Sequence, residues 1–209
     1  MKNKFKTGIL FALFVTLLTS CSKDTDLPSL RVPFFKEDFQ QVTNNTNLDI
    51  TGWTNFAESG TWLWREKTFY DSATKTTNGY AEFSAFNSNA AVNKVWLVSP
   101  AINMDQYEND KLLFSVAQHH LDVDSPGNSL EVFISTDYDG TNVLAATWKP
   151  IPANIPKKAD AWYKFFKTTV DLSSYKGDIY VAFKFTGSGT DTTLDGAFQI
   201  DNFYVYDDK

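Results

Sequence analysis

Residues 95–102, Val95-Trp96-Leu97-Val98-Ser99-Pro100-Ala101-Ile102, form a short, almost wholly apolar run rich in β-branched and aromatic residues and stopped by a proline. The run is too short for a helix and ends at a residue that cannot donate into a ladder. It therefore reads as a strand buried on both faces. Downstream the pattern turns to alternation. Ile179, Val181, Phe183 and Phe185 alternate with Tyr180, Ala182, Lys184 and Thr186, while Leu130, Val132 and Ile134 share a face opposite Glu131 and Ser135. This two-residue period predicts strands over 178–187 and 129–135, and related patterns predict strands over 34–39, 80–86, 111–118, 162–172 and 197–206. In the last of these the apolar face slips by one position between Ile200 and Phe203, which predicts a bulge near Asp201-Asn202. Asn78-Gly79 reads as a turn and the Asn/Thr-rich stretch 41–51 as loop. No helical periodicity persists past the N-terminus, and no repeat of solenoid or propeller length occurs. Many short strands between Asn, Asp, Gly, Pro and Thr loops predict an all-β antiparallel sandwich.

The N-terminus follows a different pattern. Lys2, Lys4 and Lys6 precede an apolar stretch over 8–18, too short for a permanent span, which needs about 20 residues. Leu18-Thr19-Ser20-Cys21 follows, and Cys21 is the only cysteine of the chain. The spacing resembles the bacterial lipobox, in which cleavage precedes a cysteine that is then lipidated. The expectation is a signal peptide over 1–20, a membrane anchor through Cys21, and a polar, Pro-containing tether over 21–33 ahead of a single domain over 34–209. The start of that tether, Ser22-Lys23-Asp24-Thr25-Asp26, resembles the acidic signal that places Bacteroidetes lipoproteins on the outer face of the outer membrane.

Composition changes the picture in two ways. With 43% hydrophobic and 16% aromatic residues the chain can fill one sizeable core. Loss of residues 1–20 takes its formal net charge from −6 to −9, and an acidic chain without a basic patch argues against nucleic acid as a partner.

Several motifs occur in a recognisable order: Gly52-Trp53, Trp96-Leu97-Val98-Ser99-Pro100-Ala101-Ile102, Ser135-Thr136-Asp137-Tyr138-Asp139-Gly140 and Ala146-Thr147-Trp148. These are followed by Val170-Asp171-Leu172-Ser173-Ser174-Tyr175-Lys176-Gly177, Ala182-Phe183-Lys184-Phe185-Thr186-Gly187 and Ile200-Asp201-Asn202-Phe203. Together they resemble the choice-of-anchor J domain of Bacteroidetes surface and secreted proteins, related to the cleaved-adhesin modules of gingipains. The resemblance implies a jelly-roll β-sandwich of the galactose-binding or MAM-like kind. It also implies adhesion or the binding of glycans or proteins outside the cytoplasm, often with calcium. Such domains usually ride on larger proteins, whereas here the domain fills nearly the whole mature chain.

The candidate sites each have an ordinary structural reading beside the functional one. Glu37 and Asp38 on the first strand and Asp201 and Asn202 on the last are the oxygen donors that the resemblance implies for a structural Ca2+, with Glu37 and Asp201 foremost. The alternative is acids that face solvent or accept from loop amides. Trp62 and Trp64 are two apart and share a face if extended; with Trp53 they would make a row that stacks on sugar rings. The alternative is core packing. Asp137 to Asn142 has the alternating oxygens of half an EF-hand loop but Trp148 where a bidentate glutamate belongs, and a turn explains the same residues. His119 and His120 would point to opposite faces of a strand, so one metal would not collect both, although His120, Asp122 and Asp124 could share a face. Asp71-Ser72-Ala73 and Asp191-Thr192-Thr193 fit a short O-glycosylation motif.

Enzyme signatures are missing: the chain has no His-Glu-x-x-His, no phosphate-binding glycine loop and no nucleophile elbow. The expectation is a non-enzymatic, lipid-anchored envelope module for a glycan or protein ligand. Two alternatives carry different signatures. A jelly-roll hydrolase needs two facing carboxylates, or His120 near an acid and a nucleophile; a structural component of an envelope assembly needs a large flat apolar patch.

Overall fold

The computed structural model describes residues 32–208. The expected signal peptide over 1–20, Cys21 and the expected tether as far as residue 31 lie outside the described residues. Among the described residues twelve strands make two antiparallel sheets. The first sheet holds β10 (Phe166–Asp171), β7 (Asp110–His119), β12 (Ala197–Asp207), β4 (Thr76–Ser84) and β3 (Arg65–Asp71) in that order, with β1 (Pro33–Glu37) also on β12. The second holds β2 (Thr54–Ser59), β5 (Asn93–Val98), β11 (Asp178–Gly187), β8 (Ser129–Ser135) and β9 (Lys149–Pro150), with β6 (Ile102–Asn103) also on β11. Each sheet is built around one long strand. β12 pairs with β4 through Ala197–Ile200 and with β1 through Phe203–Tyr206, while β11 pairs with β5 and β6 in the same divided way. The result is an all-β jelly-roll sandwich.

Alternation accounts for the core. Phe83, Phe114, Phe198 and Phe203 of the first sheet and Leu97, Val181, Phe183 and Phe185 of the second turn inward and are buried. Their rings meet across the layer, Phe83 on Phe185 at 4.5 Å and Phe114 on Phe183 edge-to-face at 5.1 Å. β8 and β11 coincide with the spans expected from the two-residue period. The bulge falls where the apolar face slips: the β12–β7 register breaks between Asp201 and Tyr204, with Asn202 at φ 53°.

β5 is buried on both faces. Val95 and Leu97 join the main core, while Trp96 and Val98 lie under the 136–148 loop with Tyr138 and Val143. Trp148 packs on Trp96 at 5.5 Å, and the Trp96 Nε1–H donates to Glu58 at 2.8 Å. Lys184 sits 4.6 Å over the same ring and 3.0 Å from Glu58, so the polar residue that interrupts the apolar pattern of β11 has its partner beside it. Within that loop Asp139 Oδ1 accepts from Thr141 N and Asn142 N, and Gly140 sits at φ 82°. These are the contacts of a turn.

Three expectations are corrected. Asn78-Gly79 is not a turn but lies inside β4; the hairpin turn is residues 72–75, closed by Lys75 at φ 56°. Glycine is needed at 79 because a Cβ there would lie 2.1 Å from Phe39 O. The strand expected over 162–172 begins only at Phe166, because Tyr163 adopts φ 60°. Thr61–Trp64 is not extended strand either but the crossing from β2 in one sheet to β3 in the other.

Candidate functional site

The outer face of the first sheet carries the side chains that alternate with the core. From β4 these are Tyr80, Glu82 and Ser84, and Gln199 of β12 stands opposite Glu82. The Arg65–Glu82 and Phe69–Asn78 pairings put Phe69 and Asn78 on the same face. The segment between β9 and β10 folds back over this face. Gln118, fully buried near the end of β7, holds it: its Nε2 donates to Asp160 O at 2.7 Å and its main-chain carbonyl accepts from Tyr163 N at 2.9 Å. The positive φ of Tyr163 then turns this chain so that Phe165 meets Tyr80 edge-to-face at 5.9 Å.

A cleft of about 590 Å³ results. Phe69, Tyr80, Tyr163 and Phe165 are its walls, and Asn78 and Gln199 its amide groups, with Asp71 and Thr76 at the hairpin end. Phe69 and Tyr163 remain 61% and 53% exposed, well beyond what core packing leaves. Burial, with the charge of Glu82 and the neighbouring Tyr163 adding to it, pushes the Tyr80 hydroxyl up to about 12, so it stays a neutral donor through the physiological range.

A second cleft, about 350 Å³, lies beside it, lined by Phe86, His119, His120, Asp122, Trp162 and Asp195 among others. Tyr163 stacks on His119 at 4.6 Å and 24°, and Trp162 lies on His120 at 4.0 Å and 33°. The two imidazoles do not point apart as strand alternation implies. β7 ends at His119, and His120 at φ 57° swings its ring back, so that the two Nδ1 atoms are 2.7 Å apart. One ring nitrogen donates and the other accepts. His119 Nε2 is 3.3 Å from Glu82, which also accepts from Gln199 Nε2 at 2.7 Å and lies 3.7 Å from Lys67. Burial raises the Glu82 carboxyl, but these hydrogen bonds and positive neighbours outweigh it and hold Glu82 below the usual range. Asp124 does not join His120 on a shared face; it accepts from Lys158 N and caps the loop.

The sequence-derived aromatic row is not assembled. Trp64 is 0% exposed, its Nε1–H donates to Val95 O at 3.2 Å, and its backbone is clamped on both sides by the Asn55 amide. Trp53 packs between Phe39 and Phe203 at 5.6 and 5.4 Å, and Trp62 packs against the same core. Trp62 and Trp64 share no strand face because residues 62–64 are the crossing between sheets. The exposed rings among the described residues are instead Phe69, Tyr70, Phe86, Trp162 and Tyr163, of which all but Tyr70 line the two clefts.

The first and last strands do pair, with Glu37 opposite the core residue Phe203, but the register break of β12 separates that pair from Asp201, which stands opposite Ser115. Glu37 accepts from Phe39 N at 2.6 Å, and Asp38 pairs with Lys36 at 2.7 Å. Asp201, 3% exposed, accepts from Asn78 Nδ2 at 3.0 Å and Asn202 N at 2.6 Å, and Asn202 Oδ1 accepts from Tyr204. Among the described residues no three His, Cys, Asp or Glu side chains are grouped to share a metal. Burial raises both Asp201 and Glu37 above the usual carboxylate range, and the charge of Asp38 adds to it in each case.

A native value above the unfolded one means that stability falls as pH rises through that interval, and the cost persists at neutral pH. Asp201→Asn, which keeps an acceptor for Asn202 N, is expected to flatten that fall. Urea denaturation in EDTA between pH 4 and 7 checks it, and an unchanged slope would remove Asp201 as its source.

The fold is a jelly-roll sandwich, and solved structures share that fold. The K1 cleaved adhesin domain of Lys-gingipain from Porphyromonas gingivalis W83 aligns at 19% identity and a TM-score of 0.52, over 84% of this chain and 98% of that one. The K2 domain of Lys-gingipain aligns at 17% and 0.51, over 81% and 96%, and the K3 domain from the same organism at 16% and 0.50, over 84% and 99%. No family model matches the chain, and no curated protein matches it. At these identities the likeness is one of fold.

Proposed function

We propose that this chain is a glycan-binding module of the cell envelope, held on the membrane by a lipidated Cys21. The cleft walled by Phe69, Tyr80, Tyr163 and Phe165 carries this reading. A pyranose ring has apolar C–H faces and a rim of hydroxyls. The half-exposed Phe69 and Tyr163 rings supply the stacking surface, and the Asn78 and Gln199 amides supply donors and acceptors for the rim. The ordered motifs and the cleaved-adhesin fold support membership of the choice-of-anchor J group, and the acidic stretch after Cys21 supports the outer face of the outer membrane.

A calcium ion between β1 and β12 belongs to the same proposal. Lys36 compensates Asp38, whereas the only contacts drawn to the buried Asp201 carboxylate among the described residues are amide donors. Asp201 is the ion's carboxylate donor; to join it, the Asn78 amide, whose Nδ2 donates to Asp201, and the Asn202 oxygen, which accepts from Tyr204, would both have to turn toward the cation. Calcium is expected to raise the melting temperature of wild-type protein but not of Asp201→Asn; an equal rise in both would exclude this site.

The binding test is a glycan array with the domain over 32–209. Tyr163→Ala is expected to weaken any glycan hit at least tenfold, equivalent to about 1.4 kcal/mol, with an unchanged melting temperature. A hit indifferent to Tyr163→Ala would move the site elsewhere. No hit on any glycan would overturn the reading.

A further inference from the structure

We infer that the two clefts on the outer face of the first sheet form one continuous site for an extended glycan chain without anionic groups. The inference rests on the glycan-binding reading above and adds the length and the charge class of the ligand.

Continuity comes from the stack between the clefts. Tyr163 walls the first cleft, and its ring lies on His119, which lines the second; His120, held to His119 through the paired Nδ1 atoms, carries Trp162 in turn. Phe69 belongs to the first cleft and Phe86 to the second, exposed by 61% and 58%, with Tyr163 and Trp162, 53% and 51% exposed, between the two. Tyr70, on the opposite face of β3, is the one other ring exposed to this degree among the described residues, and a repeating chain that stacks unit by unit would cover the four cleft rings together. A monosaccharide would reach only one cleft.

Charge sets the class. Asp71 stands at the first cleft, Asp122 and Asp195 line the second, and Glu82 lies behind His119. Lys67, on the same face, has its ammonium within 3.7 Å of Glu82 and 2.8 Å of Asn45 Oδ1. Asp122 and Asp195 thus place two carboxylates in the second cleft, and burial, with the Asp122 charge next, keeps Asp195 above the usual carboxylate range. A uronate or sulfate in this site would meet carboxylates, at a cost like that of other like-charge juxtapositions.

The test is calorimetric titration of the protein with neutral gluco-, xylo- and manno-oligosaccharides of two to six units and with oligogalacturonates of matched length. For a neutral series that binds, affinity is expected to rise at least tenfold from two units to six. Trp162→Ala is expected to remove that gain, and oligogalacturonates to bind at least tenfold more weakly than the neutral chain of equal length. The Asp122→Asn/Asp195→Asn variant is expected to narrow the second difference. Equal affinity for short and long chains, or a length gain that survives Trp162→Ala, overturns the continuous site while leaving glycan binding in place. A preference for oligogalacturonate overturns the charge class. Silence towards all of these probes and the array overturns the glycan reading itself.

Discussion

Replacing Trp64 with alanine is expected to lower the stability of the folded domain by about 3–5 kcal/mol, the range for emptying the volume of a large buried aromatic side chain. Two further losses push it toward the upper end. The indole N–H is the hydrogen-bond partner of Val95 O inside the core, and a buried acceptor left unmade costs about 1–3 kcal/mol. The ring also plugs the crossing from β2 to β3, where Phe83 meets it at 6.0 Å and Asn55 clamps its backbone. Urea denaturation measures the change. Tyr163→Ala is the contrast, because a half-exposed ring away from the core falls within about 0.5 kcal/mol for stability. If Trp64→Ala proved as mild as Tyr163→Ala, the indole would not be a core residue and the exposed-row reading would return.

That contrast also separates what the residue pattern reveals from what it conceals. Alternation located β8 and β11, the apolar run located β5, and the slipped face in β12 located its bulge, because in each case burial imposes a two-residue period on the chain. Tryptophan carries no such phase. Trp64 and Trp162 both stand among polar and aromatic neighbours, and only the crossing between sheets and the fold-back held by Gln118 decide which is buried. A clue was present in Trp162-Tyr163-Lys164-Phe165-Phe166, whose consecutive aromatics are too many for one strand with a wet face. The His119–His120 pair was hidden for a different reason. Strand geometry sends neighbours to opposite faces, and a left-handed φ at a non-glycine residue is a tertiary choice that pattern alone does not announce. β2 was missed because, as an edge strand half-buried along its whole length, it has no clean alternation.

Gly79→Ala is expected to destabilise the domain by about 3 kcal/mol or more, the upper end for overpacking, and to weaken glycan binding with it. The methyl would be built 2.1 Å from Phe39 O and 2.8 Å from Val42 Cγ2, and a main-chain carbonyl cannot rotate away as a side-chain tip can. The obstacle is held in place from several directions. Phe39 is fully buried, and the loop after it is tied to β4 by Gln40, whose amide accepts from Gly79 N and donates to Gly79 O, both at 3.2 Å. The same loop is anchored to β3 by Glu66, which accepts from Thr43 N and Asp49 N. Binding suffers because Asn78, the adjacent residue, contributes an amide to the first cleft and also donates to Asp201. Had Asn78-Gly79 been a turn, the reason for glycine would be a positive φ, and asparagine would substitute tolerably. Here crowding is the reason, so Gly79→Asn should be no better than Gly79→Ala. Lys75, which does adopt a left-handed φ at the hairpin turn, should accept glycine with little loss or a small gain. Denaturation curves of the three variants decide the matter: rescue by asparagine at position 79 would mean that backbone conformation, and not the carbonyl of Phe39, requires the glycine.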